Sequence, residues 1–432
     1  MRIAVVGAGV VGITTAHALH SDGHEVTVYE RNGTVASETS FANAGLIAPG
    51  YVTPWAAPGM LRKVLSQLLQ RDAAVRMATL PGLELAGWLW RWQRACGPVG
   101  YLQRRAAMIS LAHDSLSRTR ALTKDMEIDY ENGRGMLVLL RGEKELAQAR
   151  TGLKLLTDAK IDFHLVDAEK CRQIEPGLND SMALRAGIHL PDTEVGNCRQ
   201  FAMQLKHMLQ ERGVAFQLHH AVHRLSPGSK LELHATVHAE TPGSGRDPEP
   251  EVHESFDAAI VCAANGAPDL LRSTRMRLPL QSVYGYSVTL PLRQFEAHPD
   301  VGPRAAIMDE RFKVAIARLG DRVRVAGSAE LGGDPLRIRE AAVKTLYRVL
   351  DDWFPGAASH GQPQVWKGAR PMLPDGPPAI GATGLPGLWL NTGHGSSGWA
   401  LACGSARLVA DLVAGRKPML DPQPFSPTRW NR

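Results

Sequence analysis

Residues 2–30 read RIAVVGAGVVGITTAHALHSDGHEVTVYE, and this stretch decides the fold. Arg2 to Val6 reads as an apolar strand, Val10 to Ser21 as a helix and Glu25 to Tyr29 as a second strand. Between the first two lies Gly7-Ala8-Gly9-Val10-Val11-Gly12. Gly7 permits a tight turn, Gly9 lets the backbone approach a diphosphate, and Gly12 lets helix and strand pack closely while the helix N-terminus faces the anion. Val10 and Val11, at the start of the helix, join the expected contact set. Glu30 ends the second strand, where a carboxylate takes ribose hydroxyls and disfavours a 2′-phosphate. Arg31 beside it has two readings, a contact to cofactor phosphates or a solvated side chain.

Working outward, a second α/β stretch has a helix near Asn197 to Arg212, strands from Val214 onward and an apolar strand at Ala258 to Cys262. Between the two, Ala106 to Lys124 and Glu143 to Ala159 show helical periodicity. Short strands dominate from Ser282 to Ala329, notably Val283 to Leu290 and Arg322 to Gly327, and Glu340 to Trp353 follows as an amphipathic helix. The expectation is an α/β fold with a Rossmann-like dinucleotide domain made of discontinuous segments, residues 1–48, 193–280 and 366–432. A mixed β-sheet substrate domain with helices takes 49–192 and 281–365. Thr241 to Glu251, rich in Pro, Gly and charge, reads as an exposed hairpin loop.

The 432 residues are too many for one ordinary core, and 44% apolar content is that of a globular protein. The formal charge of +6 is mild but local: between Gly59 and Arg105 eight basic residues face only Asp72 and Glu84. No nucleic-acid module accompanies that excess, so nucleic acid is not an expected partner. The five cysteines form no CxxC pair and read as reduced thiols. The histidines between His207 and His238 fit no zinc spacing, and no metal is expected. Met1 to Val6 runs straight into a strand and no apolar run spans a bilayer, so the expectation is a cytoplasmic protein, at most peripheral on a membrane.

Two further stretches bear on the choice of cofactor. Ser37 to Leu46, SETSFANAGL, is a run of small and hydroxyl residues suited to close approach by a large cofactor, with Ser40, Asn43, Ala44 and Gly45 as contacts. Leu390 to Trp399, LNTGHGSSGW, reads as strand, glycine turn and helix. Its backbone N–H groups at Gly393, Gly395, Ser396, Ser397 and Gly398 would stabilise negative charge on a reduced flavin.

With these stretches in hand, the chain resembles the small-subunit type of D-amino-acid dehydrogenase, within the wider family of D-amino-acid oxidase and glycine oxidase. The glycine turn, Glu30, SFANAGLIAPGYVTPWAAPG (residues 40–59), YGYSVTLPL (284–292), RVAGSAELGG (324–333), GARPMLPDGPPAIG (368–381) and LNTGHGSSGWA (390–400) carry the likeness over nearly the whole chain. The resemblance implies FAD as cofactor, with Val222 and Ala263 added to its contacts. It implies a small amino acid as substrate and an electron acceptor such as a membrane quinone. Ser396, Ser397, Ala400, Asn197 and Asn265 depart from the family pattern.

The resemblance makes Arg370 the expected holder of a substrate carboxylate, a role that suits a guanidinium making two parallel hydrogen bonds. Tyr284 and Tyr286, two apart on a strand, share one face and either add a hydrogen bond at the carboxylate, cover the site or serve strand packing. His394 either adjusts charge at the flavin or makes a structural hydrogen bond. Trp88, Trp90 and Trp92 with Arg91 and Arg94 suit a membrane interface or a cover over the site. The activity implied is removal of a hydride from the α-carbon of a D-amino acid. A related amine (glycine, sarcosine or a hydroxyproline isomer) and a flavin-binding subunit of a larger complex are the alternatives.

Overall fold

A computed structural model of the protein describes residues 1–60, 75–79, 82–238, 250–293, 301–359 and 361–430. Residues 241–249 of the expected hairpin loop lie outside them, as do Arg62, Lys63, Arg71 and Asp72 of the basic segment.

The opening stretch folds as strand Arg2–Val6, helix Val10–Ser21 and strand Glu25–Tyr29. Strand Arg2–Val6 lies between Glu25–Tyr29 and Ala258–Val261, parallel to both. Ala215–Gln217 extends the sheet at one edge, and Leu388–Thr392 with its antiparallel partner Ala379–Ala382 extends it at the other, making six strands. Four buried residues in a row, Ile3 to Val6, give the continuous apolar run of a strand covered on both faces. A small antiparallel sheet, His220–Ser226, Leu231–Val237 and Glu251–Phe256, lies against it and shares a core of Leu233, Phe256, Val261 and Leu390.

The second body is a ten-stranded mixed sheet. Its long strands Gln281–Pro291, Arg322–Leu331 and Gln364–Met372 run antiparallel side by side, while Ala306–Asp309 joins Gly133–Leu140 in parallel. The amphipathic helix Glu340–Trp353 buries Leu346, Val349 and Trp353 against this sheet.

Several segments pack differently from their sequence grouping, among them Leu46–Ile47, which pairs with Glu194 and Val195 in the large sheet. Gln364–Met372, grouped from Trp366 on with the dinucleotide segments, hydrogen-bonds along Gln281–Pro291 in the large sheet. Helix Pro98–Asp125, grouped with the substrate segments, buries Met108, Leu111 and Leu116 in the same core as Ile13 and Leu401. An apolar stripe specifies that a helix face is buried, but not which core receives it.

Candidate active site

The glycine turn is built by close contacts. Gly7 has φ +103°, and a Cβ on Gly12 would lie 1.8 Å from the Gly7 carbonyl oxygen. A Cβ on Gly9 would meet only Ser40 Oγ, at 3.4 Å, so this side of the turn is open to a ligand backbone. Val10 N donates to Ser40 Oγ at 3.0 Å. The buried Glu30 carboxylate accepts from Ala8 N at 2.8 Å and from Asn32 N at 2.9 Å, which fixes it at the strand end. Arg31 pairs with Glu38 at 2.5 Å on the surface. Ala263 lies against Gly7, and Asn43 Oδ1 accepts from Gly45 N at 2.9 Å. Val222 and Ala44 are half-buried beside neighbouring cores.

Loop Ser40 to Gly45 is tied to the large sheet as well. Ser287 Oγ donates to the Ala42 carbonyl at 2.8 Å, and Arg324 Nη1 to the Asn43 carbonyl at 3.2 Å. Sequence reasoning missed both partners, because each lies some 240 to 280 residues from the loop it holds.

After strand Leu388–Thr392 the chain turns through Gly393 (φ +79°) and Gly395 (φ +58°) into helix Gly398–Val413. A Cβ on Gly395 would lie 2.7 Å from Met372 Sδ, so the turn lies against the strand that carries Arg370. Ser396 is exposed and Ser397 half-buried. His394 is only 3% exposed, its Nε2 is 3.0 Å from Ser405 Oγ, and burial pushes its pKa down to about 3. Of its two expected readings the geometry is that of the structural hydrogen bond: a neutral ring linking turn to helix.

Arg370 lies across the backbone of Gly285, where a Cβ would come within 2.4 Å of Nη2. Nη1 donates to the Ser328 carbonyl at 2.9 Å. Burial pushes the guanidinium down to about 10, which leaves it cationic at neutral pH. Among the described residues it has no carboxylate partner.

The register places the tyrosines elsewhere. Val283 lies opposite Arg370, whereas Tyr284 lies opposite Ala369 and Tyr286 opposite Lys367. Side chains alternate along a strand, so both tyrosines occupy the sheet face away from Arg370. The two tyrosines share a face as expected, and it is the face opposite the Arg370 side chain. Tyr286 donates to Glu330 at 3.0 Å, and Lys367, 3.0 Å from the same carboxylate, sits over both phenol rings.

Residues 2–412 match the DAO family, described as FAD dependent oxidoreductase. The chain belongs to this family. A D-amino acid dehydrogenase of Agrobacterium fabrum (strain C58) is 37% identical over 437 residues, covering 100% of both chains. One of Cereibacter sphaeroides (strain ATCC 17023) is 39% identical over 98% of this chain and 93% of its own. Among solved structures, glycine oxidase from Geobacillus kaustophilus shares the fold with a TM-score of 0.76 at 18% identity over 99% of each chain. L-amino acid deaminase from Proteus myxofaciens shares it at 0.72 and 14%, over 100% of this chain and 93% of that one.

The family's FAD fits the residues present: an open glycine cradle, a fixed carboxylate at the second strand end, and a glycine turn before a helix N-terminus. An oxidoreductase of the DAO family takes electrons from one molecule and passes them to another, so the chain has both a substrate and an electron acceptor.

Above Arg370 the wall is apolar. Helix Leu83–Ala95 buries Trp88 and Trp92 against Val283, Leu331 and Met372, and Trp88 Nε1 donates to the Met372 carbonyl at 3.1 Å. Trp90 points away, 55% exposed, with Arg94 over its ring at 4.7 Å. Two of the three tryptophans are thus buried and the third faces outward. No helix among the described residues is long and apolar enough to cross a membrane.

Proposed function

We propose that the chain oxidatively deaminates D-amino acids to 2-oxo acids and ammonia, and that Arg370 binds the substrate carboxylate. The observation that carries this reading is the guanidinium itself: cationic, packed against the Gly285 backbone, beside an apolar wall and without a carboxylate of its own among the described residues. A substrate carboxylate satisfies such a fork. Relatives 36% to 39% identical along nearly their whole length and named D-amino acid dehydrogenase support the D series.

FAD, when bound, supplies a two-electron acceptor. We assign it to the glycine turn, Glu30, loop Ser40 to Gly45 and the turn Gly393 to Gly398. The substrate loses its α-hydrogen with the electron pair of that bond, the amine lone pair closes the C=N bond, and water releases the 2-oxo acid and ammonia. No side chain has to remove a proton from carbon. The chain's work is positioning: Arg370 holds one end of the substrate while Val283, Met372 and Trp88 keep water from it.

We assign the electron acceptor to a membrane quinone, reached by peripheral contact. Leu83, 95% exposed, and Trp90 share a helix with Arg91 and Arg94, a composition suited to an anionic lipid surface.

Replacing Arg370 tests the reading. Arg370→Ala is expected to raise KM for D-alanine at least a hundredfold, the loss of a charged two-point contact, with FAD content unchanged. Unaltered KM in a yellow, folded variant would remove Arg370 from the site. Turnover by the isolated chain with an artificial acceptor excludes a need for partner subunits.

A further inference from the structure

Arg370 and the glycine cradle belong to different sheets, so the distance between a held substrate and the cofactor depends on what joins the two. Strand Ala258–Val261 runs out through Ala263 to Ala264, whose φ of +46° is a left-handed backbone rarely adopted by residues other than glycine. This bend begins the short turn Ala264–Gly266 and carries Asn265 across to the large sheet. There Asn265 Nδ2 donates to the Ala369 carbonyl at 2.9 Å, and Oδ1 accepts from Ser282 Oγ at 2.8 Å. Thr39 Oγ1, next to Ser40 of the cofactor loop, donates to the same carbonyl at 2.7 Å. Ser282 lies opposite Pro371 and Ala369 opposite Tyr284, so the carboxamide touches both strands immediately on either side of the Val283 and Arg370 pair.

We propose that Asn265 is a positioning residue for the reaction: its carboxamide ties the two strands that meet at Arg370 to the cofactor half and sets the pose in which Arg370 presents the substrate. The inference rests on Arg370 as the carboxylate holder. An amide offers a donor and an acceptor at once, which this place requires. Alanine offers neither, and aspartate would turn a charge toward the Ala369 carbonyl.

The test is anaerobic flavin reduction in the FAD-loaded protein, using whichever of D-alanine and other small D-amino acids reduces it best. Asn265→Ala is expected to lower the ratio of limiting rate to apparent Kd roughly tenfold, about the worth of one to two positioning hydrogen bonds, with FAD content unchanged. In an Arg370→Lys background the same substitution is expected to change that ratio by less than about twofold, because it acts through the guanidinium. Ser282→Ala removes one of the two bonds and is expected to cost roughly threefold, which keeps the test open if Asn265→Ala does not fold. Equal losses in both backgrounds, or none in the parent, overturn the positioning role. An Arg370→Ala protein that matches the parent overturns the carboxylate reading, and this inference with it.

Discussion

At the scale of single residues, the site consists of groups whose chemistry is fixed by burial. His394 shows the consequence most clearly, since burial holds its pKa near 3, below the ordinary 6.5. Its unfolded form takes up a proton as pH falls below about 6.5 while the folded form stays neutral until pH nears 3. The unfolded state then binds more protons, so this residue costs stability progressively across that window. We expect His394→Asn to show a shallower loss of melting temperature between pH 6.5 and 4 than the parent, with pH profiles of kcat/KM that coincide between pH 6 and 8. A parent profile that loses an ionisation near 6.5 on substitution would contradict the neutral, structural ring. The backbone roles of Gly7, Gly12, Gly393 and Gly395 were legible in sequence because each answers a demand of its turn, a positive φ or a close approach. Tyr284 and Tyr286 were not: their common face follows from alternation, but which face depends on pairing with a strand about eighty residues away. Asn265 was visible only as a departure, since both its partners are distant in sequence.

At the scale of elements, helix Leu83–Ala95 has two unlike faces. Trp88 and Trp92, four apart, lie on one face and cover the strand that bears Arg370, while Trp90 faces outward. Trp88→Ala should destabilise the protein by about 3–5 kcal/mol in denaturant unfolding, the cost of emptying a buried aromatic site. Trp90→Ala should stay within about 0.5 kcal/mol of the parent yet reduce co-sedimentation with anionic lipid vesicles. Vesicle binding that Trp90→Ala leaves intact would contradict the membrane role of this face. The element boundaries were largely legible: the sequence reading of Glu340 to Trp353 matches the helix found, and Ala106 to Lys124 falls inside Pro98–Asp125. Periodicity cannot reveal that Pro98–Asp125 completes the core beneath the glycine turn, because a stripe carries no address.

At the scale of the whole molecule, one sheet presents the glycine cradle and the other presents Arg370, the cation proposed to hold the substrate. Ser287, Arg324, Thr39 and Asn265 stitch the two together. The order of segments was legible from the glycine turn and the C-terminal stretches, whereas the stitching depends on contacts that exist only once both sheets have formed. Under the proposed function this arrangement oxidises a D-amino acid at its α-carbon. The most direct measurement is the visible spectrum of the purified protein under anaerobic titration with D-alanine and other D-amino acids, their L enantiomers, glycine and sarcosine. A yellow protein bleached by D-amino acids and unchanged by the L series is the expected result. Bleaching by L-amino acids or sarcosine alone would contradict the substrate, and a colourless protein unable to take up FAD would contradict the site itself.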